Sequence, residues 1–335
     1  MANNNLNAAK EAKKDEFYTQ LEDINNELRH YREHFRGKTV LCNCDDPRVS
    51  NFFTYFAYNF EFLGLKRLIT TCYKNQDADL FSQHHSEKAV YLIYEGDKNG
   101  NNIPDPEEIG IHPLKGDGDF RSRECIELLK QADIVVTNPP FSLFREYVAQ
   151  LMEYQKEFII IGSLNAIHYK EIFPLIKQNR MWLGYGFAKG NAFFKIPAES
   201  KREYASGVFD EVTGLVKFRN CTWFTNIDHK KRHELLILYR HYTPEEYPKY
   251  DNFDAIEVSK IDEIPVDYNG AMGVPDTILD QLNPDQFEII GLGSGDLAKQ
   301  AGVTKNYRGR TDLAYTIDGK HKCPYSRILI RKIQK

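Results

Sequence analysis

Short apolar runs alternate with stretches of helical spacing through the first half of this chain, and that alternation predicts its architecture. Leu21, Ile24, Leu28, Tyr31 and Phe35 recur every three or four residues, so Asp15 to Phe35 reads as one amphipathic helix that Gly37 ends. TVLCN (39–43) and RLITTCY (67–73) read as buried strands, separated by the aromatic helix NFFTYFAYNFEFLG. The helix ECIELLKQA, the strand DIVVT, the helix SLFREYVAQLMEY and the strand FIIIG (158–162) repeat the pattern. A further helix over about 165–179 and the strand MWLGY follow. Short strands separated by longer helices predict a parallel, doubly wound α/β sheet, whose ligands bind beyond the carboxyl ends of the strands. CNCDDP, TCYKN and TNPPF each fall at such an end; the strand before GDGDF is the least defined.

The remaining segments read differently. Lys74 to Leu114, rich in Asn, Asp, Gly and Pro around AVYLIYE, predicts an inserted hairpin with loops. From Gly184 to Asn226 aromatic and basic residues alternate with Gly; VFDEVTGLVKF predicts a hairpin turning at Thr213-Gly214, and CTWFTNI a core strand. Beyond Asp228 the chain is loop-rich, with a helix near Thr277 to Leu282 and a final strand, YSRILI. There is no internal repeat. The first residues, 1–14, have the Asn/Ala/Lys-rich composition of a disordered tail.

Hydrophobic residues at 41% and charged residues at 27% are ordinary for a globular chain, and no run approaches a membrane-spanning length. The N-terminus lacks the apolar segment of an export signal, so the expected address is the cytoplasm, with no membrane partner. Six scattered cysteines with one CxC pair and no CxxC suggest reduced, buried thiols, with neither a disulfide framework nor a metal site. The net charge of −4 hides a segmental pattern: −7 over 1–159, +6 over 160–240, −11 over 241–298 and +8 over 299–335. Two basic segments flank an acidic one, so an acidic chain can still present a basic face to nucleic acid; solvated surface lysines are the plainer explanation.

TNPPFS closes the apolar run ADIVVTNPPFSLF, and each letter of NPPF has a chemical use. An exocyclic aromatic amine is a poor nucleophile, because its lone pair is delocalised into the ring. A catalyst must hold it against an electrophile and accept its hydrogens. The Asn138 side-chain carbonyl and the Pro139 backbone carbonyl are acceptors without being strong bases, Pro140 stiffens the turn, and Phe141 offers a ring for stacking on a flat base. The plainer alternative is a strand-ending turn with no chemistry.

TNPPF at a strand end resembles the catalytic motif of S-adenosylmethionine-dependent amino-methyltransferases, and its Phe resembles adenine-specific DNA enzymes. A related NPPY motif serves protein glutamine methylation, so the motif alone leaves the substrate open. More broadly DEFYTQ, YREHF, CNCDDPRVSNFF, GDGDFRS, DIVVTNPPFSLF, MWLG, YPKYDN, DYNGAMGVP and CPYSRILI resemble the EcoRI-type adenine-specific methyltransferase family across most of the chain. That resemblance implies a Rossmann-like methyltransferase sheet over 15–183, with the rest of the core and the C-terminal region in 221–335. Candidate target-recognition elements then lie at 184–220 and 291–325. It implies S-adenosylmethionine as cofactor, a flipped adenine in duplex DNA as substrate, and room for a companion restriction endonuclease. RNA adenine, a protein glutamine, or an inactive nucleic-acid-binding chain on the same fold stay open as alternatives.

By the same resemblance, Phe17, Tyr18 and Thr19 border the methionine end of the cofactor, and Asp119 and Phe120 of GDGDF meet its adenine, with Asp117 as a second candidate. The loop after the first strand carries no Gly where most relatives are Gly-rich; Asp45 and Asp46 would receive the cofactor's ammonium group there, with Asn43 helping to orient it. An Asp-capped helix start explains the same aspartates without a ligand. No acid follows the second strand, so the cofactor's ribose has no assigned partner. Lys189, Lys195, Arg202, Arg308 and Arg310 are candidate DNA contacts.

Overall fold

The computed structural model describes residues 18–44, 50–71, 89–101, 103–105, 107–187, 190–195 and 207–334. Phe17, Asp45, Asp46, Lys189 and Arg202, and the expected tail at 1–14, lie outside them. The chain divides into two compact units, Met1–Leu164 with Gly184–Ile227, and Asn165–Leu183 with Asp228–Lys335, so the residues 165–183 expected in the catalytic core group with the C-terminal region. Elements are numbered in chain order through both.

In the first unit the helices are α1 (Leu21–Leu28), α2 (Asn51–Tyr58), α3 (Phe60–Leu63), α4 (Arg123–Gln131) and α5 (Phe144–Glu153). Its main sheet is built from β2 (Thr39–Cys42), β3 (Arg67–Thr71), β4 (Val90–Tyr94), β5 (Gly110–Pro113), β6 (Ile134–Thr137), β7 (Glu157–Ser163) and β12 (Cys221–Thr225), in the order β5-β4-β3-β2-β6-β7-β12. The four central strands β3, β2, β6 and β7 run parallel. The hairpin β4–β5 extends one edge antiparallel, and β12 pairs antiparallel with β7. Successive side chains of each strand alternate between faces. Val40, Cys42, Ile134, Val136, Ile159, Ile161 and Trp223 join Ile24 and Leu28 of α1 and Phe52 and Phe56 of α2 in one buried cluster. On the other face Phe144 of α5 packs on Phe224, with ring centroids 5.1 Å apart. Both faces are thus covered, which is why the central strands read as unbroken apolar runs.

Beside this sheet, β1 (Tyr18–Thr19), β9 (Ala192–Lys195), β10 (Phe209–Asp210) and β11 (Leu215–Phe218) form a small antiparallel sheet in the order β1-β9-β11-β10, with Gly214 at φ +68 in the β10–β11 turn. The helix expected over 15–35 is therefore interrupted. Tyr18 and Thr19 pair with Lys195 and Phe194, α1 starts only at Leu21, and a 3-10 turn, Arg32–Phe35, ends the segment. Ile24, Leu28, Tyr31 and Phe35 are fully buried as their spacing requires, whereas Leu21 is 42% exposed. GDGDF follows the antiparallel edge strand β5 and forms an open turn with Gly118 at φ +83 before Ser122 caps α4 by accepting the Cys125 amide at 3.2 Å.

Burial pushes the Asp23 carboxyl, in the first turn of α1, up to about 6, and the charge of Glu22 adds to the shift. A raised carboxyl penalises the folded state above about pH 6, and the penalty disappears once folded and unfolded chains are both protonated. Asp23→Asn is expected to raise the urea unfolding midpoint at about pH 7.5 and to leave it unchanged at about pH 3.5.

The second unit holds α6 (Phe173–Lys177), β8 (Trp182–Leu183) and a sheet of β13 (Ile256–Glu257), β14 (Met272–Pro275), β15 (Phe287–Leu292) and β18 (Arg327–Lys332), in the order β13-β14-β18-β15. α7 (Gly295–Gln300) and the hairpin of β16 (Tyr315–Ile317) and β17 (Lys320–Lys322) complete it. β18 is the predicted YSRILI strand; Ile328, Leu329 and Ile330 are fully buried. The helix expected at 165–179 breaks into a 3-10 turn, Leu164–His168, and α6, because Pro174 is tolerated only in a first helical turn. Likewise the helix near 277–282 is a 3-10 turn, Asp276–Asp280, following Pro275. No helix among the described residues is long and apolar enough to cross a membrane. The five described cysteines are in no disulfide among the described residues, and burial pushes the thiols of Cys125 and Cys221 up to about 11 and about 12.

Candidate active site

β2 and β6 are adjacent and parallel, with Val40 opposite Ile134, so the residues that follow them emerge side by side. Asn43 follows β2 and Asn138 follows β6; both are buried, at 5% and 6% exposure. Thr137 Oγ1 donates to the Asn43 backbone carbonyl, and the Tyr147 hydroxyl of α5 donates to Asn43 Oδ1. Burial holds the Tyr147 phenol well above its ordinary value, so it stays protonated and able to donate. Phe120 meets the Tyr147 ring edge-on at 5.0 Å, and Gln150 Nε2 donates to the Phe120 carbonyl at 3.1 Å. Three motifs distant in sequence are thereby joined: Tyr147 links CNC to GDGDF, and Thr137 links TNPPF to CNC.

The turn itself is well determined. Pro139 is buried and Pro140 partly so. Pro140 (φ −55°, ψ 125°) leads into a 3-10 turn, Phe141–Leu143, in which the Leu143 amide donates to the Pro140 carbonyl at 3.0 Å. Among the described residues no hydrogen bond engages the Pro139 carbonyl, which leaves it available as an acceptor. Phe141 is half-buried and lies edge-to-face against Phe218 of β11 at 6.1 Å; Phe218 in turn meets Phe194 of β9 at 5.4 Å. The segment 184–220, expected to serve target recognition, thus also backs the NPPF turn: Phe187, Ala192 and Phe194 belong to the core of this unit.

β1 brings Tyr18 and Thr19 to the same small sheet. Asn51, the first residue of α2, donates to the Thr19 carbonyl at 2.7 Å. Thr19 is 1% exposed, and its hydroxyl has no hydrogen-bond partner among the described residues. A buried polar atom of that kind points to a ligand or ordered water. Asp119 is engaged by its own neighbour: Arg121 donates to Asp119 Oδ1 at 2.9 Å and Oδ2 at 2.7 Å, and also to Glu146 at 2.9 Å. Burial opposes the Asp119 charge, but the Arg121 hydrogen bonds prevail and hold the carboxyl below its ordinary range. Any further acceptor role of Asp119 shares the carboxylate with that guanidinium. Asp117 Oδ1 accepts the Asp119 amide at 3.1 Å.

Cys44, directly after Asn43, has φ +78, a conformation glycine adopts without strain. The position lacks Gly in sequence yet takes a glycine-like backbone. Cys44→Gly is expected to be more stable than Cys44→Ala by about 1 kcal/mol in chemical denaturation, the cost of a left-handed Cβ.

The expected DNA contacts among the described residues are on the surface. Lys195 is exposed on β9, opposite Tyr18, while Arg308 and Arg310 are exposed in the second unit. Tyr147, Thr137, Phe218 and Arg121 were not anticipated. Tyr147 sits in the apolar stripe of α5 with Phe144, Val148 and Leu151, and a buried hydroxyl in such a stripe is the one advance signal that it needs a polar partner.

Comparison with known proteins places the whole chain in a family. The family model for adenine-specific methyltransferase EcoRI matches residues 5–333. Type II methyltransferase M.EcoRI of Escherichia coli is 48% identical over 98% of this chain and 97% of its own length. Type II methyltransferases M.MpnI of Mycoplasma pneumoniae and M.MgeORF184P of Mycoplasma genitalium are 37% and 36% identical, each over 98% of this chain and covered over 98% and 99% of their own lengths. No solved structure matches significantly. The chain belongs to the EcoRI family of adenine-specific methyltransferases.

Proposed function

We propose that this methyltransferase transfers a methyl group from S-adenosylmethionine to the 6-amino group of an adenine flipped out of duplex DNA, on a Rossmann-like sheet. The observation that carries the reading is the junction of Asn43, Thr137 and Tyr147, which sets Asn138 and the Pro139 carbonyl at the adjacent carboxyl ends of β2 and β6. The rival substrates, RNA adenine and a protein glutamine, gain nothing from relatives that are all named Type II methyltransferases.

The residues present fit the cofactor: a buried hydroxyl at Thr19, two carboxylates at Asp117 and Asp119, and the Phe120 ring form a donor, acceptor and stacking set suited to an amino acid joined to a nucleoside. Bound there, the cofactor supplies an electrophilic methyl group on sulfur. The protein's part is positional. Asn138 Oδ1 and the Pro139 carbonyl accept the two hydrogens of the adenine amine, which directs its nitrogen lone pair outward as that nitrogen becomes tetrahedral. Phe141, braced by Phe218, stacks on the extruded base and offsets the stacking lost from the duplex. Neither role requires a strong base, which suits a site whose acceptors are an amide and a peptide carbonyl.

The test is methyl incorporation from labelled S-adenosylmethionine into duplex DNA, RNA and protein, with the modified base identified after digestion. N6-methyladenine in DNA is expected; label in RNA or protein alone overturns the proposal.

A further inference from the structure

The second unit carries an ordered basic loop that the chemistry of the first unit does not use. Residues 299–335 hold ten Lys and Arg against two Asp and Glu. A solvated tail would have that composition, but this segment is not built like one.

Both ends of the loop 304–314 are held by the buried side chain of Asn252, which is 7% exposed. Its Nδ2 donates to the Thr304 and Asp312 carbonyls at 2.8 and 2.9 Å, and its Oδ1 accepts the Ala314 amide at 3.0 Å. Asn306 holds the middle: Nδ2 donates to the Asp312 carbonyl at 3.0 Å, and Oδ1 accepts the Arg308 and Arg310 amides at 2.8 and 3.3 Å. Gly309, at φ +74, completes the turn. The backbone is fixed while the side chains of Lys305, Tyr307, Arg308 and Arg310 point into solvent.

The hairpin β16–β17 is tied to this loop. Tyr307 stacks on His321 with centroids 4.6 Å apart, and the Arg308 guanidinium lies 5.1 Å from the Tyr307 ring. His321 Nδ1 lies 2.8 Å from Thr316 Oγ1, which donates to Asp251 Oδ2 at 2.7 Å. Lys320 and Lys322 are exposed on the hairpin. The nearby Asp312 is engaged through Oδ1 by the Gly295 amide at 3.1 Å. Among the described residues none of Lys305, Arg308, Arg310, Lys320 and Lys322 forms an ion pair.

Five unpaired cations on a rigid frame are a costly concentration of like charge unless a polyanion neutralises them. We propose that this loop and hairpin form a clamp that grips the phosphate backbone of duplex DNA and contributes affinity without reading sequence. The inference rests on duplex DNA being the substrate, as proposed above. Phosphate contacts position a protein on its duplex, whereas base discrimination needs paired donors and acceptors aimed at base edges. A point charge on a flexible side chain supplies the first and not the second.

The test is equilibrium binding of the full chain and of the R308A/R310A variant to two duplexes, one that the wild-type protein methylates and one that it does not, over about 50 to 200 mM salt. Each phosphate contact contributes about 0.9 to the slope of log affinity against log salt, so loss of two lowers the slope by about 1.8. Over that fourfold range the wild-type affinity falls about twelvefold further than that of the variant. The loss is expected to be equal on both duplexes, with an unchanged thermal midpoint showing that the fold is intact. An unchanged slope overturns the clamp. A loss confined to the methylated duplex overturns its sequence independence and makes the arginines base readers. A wild-type protein that binds and methylates no duplex overturns the DNA reading itself, a result distinct from the other two.

Discussion

Asn138→Ala is expected to lower single-turnover methyl transfer by at least about 10²–10³-fold, the usual cost of removing one preorganised polar partner of a transition state. The side chain follows β6 directly and is buried, and the preceding Thr137 is fixed by its bond to the Asn43 carbonyl. On the proposed mechanism the substitution removes one of two acceptors for the amine hydrogens, and the Pro139 carbonyl alone cannot orient both. Calorimetric binding of S-adenosylmethionine and the thermal midpoint separate loss of chemistry from loss of structure. Retained transfer would reduce NPPF to a strand-ending turn. Asn138→Asp keeps an acceptor but loses the amide donor and places a charge in a buried site, so it is expected to rescue little of the activity.

Glu27→Ala is expected to destabilise the first unit by roughly 3–5 kcal/mol, as breaking a buried, multiply bonded carboxylate does. Glu27 is fully buried on α1. Its Oε1 accepts the Tyr31 hydroxyl at 2.8 Å and the Tyr185 amide at 2.9 Å, and Oε2 accepts the Gly186 amide at 3.0 Å. Tyr185 also stacks on His30, with centroids 3.4 Å apart. The carboxylate therefore ties α1 to the strap that leads into β9, and through β9 to the aromatic support of Phe141. Truncation leaves one buried donor, the Tyr31 hydroxyl, and two partly buried amides without this acceptor. Urea unfolding should show the loss, and hydrogen exchange at the Tyr185 and Gly186 amides should rise before that of the central strands. If those amides keep wild-type protection, the Glu27 carboxylate is not what holds the strap. Gly184→Ala tests the same contact from the other side, because an added Cβ would lie 2.2 Å from Glu27 Oε1 and 2.9 Å from Trp223 Cβ.

Much of this was legible in advance, for local reasons. The parallel strands announced themselves because strands covered on both faces must be apolar at every position, and TVLC and IVVT are fully buried. NPPF was readable as a strand end because two prolines stop a strand, and β6 ends at Thr137 directly before it. Glu27 left a trace that spacing alone carries: it lies three residues after Ile24 and four before Tyr31, on the buried face of α1, where a carboxylate must find donors. The lost helical stretches were misread because periodicity does not register competition. Tyr18 and Thr19 are drawn into a strand by β9, more than 170 residues away, and Pro174 restarts a helix that apolar spacing alone would run through.

By itself the sequence determined the periodicities, and hence the sheet and its order of helices and strands, together with the polar and aromatic residue types of the NPPF turn and the basic character of residues 299–335. Only the tertiary structure decided which groups meet: Tyr147 on Asn43, Arg121 on Asp119, Phe218 behind Phe141, and Asn252 across both ends of a basic loop. The physical reason is the same each time. A hydrophobic pattern states that a side chain is buried, because burial follows from its own chemistry and spacing. The partner that satisfies a buried polar group is chosen by chain crossings that bring distant segments within hydrogen-bond reach, and no local pattern encodes those.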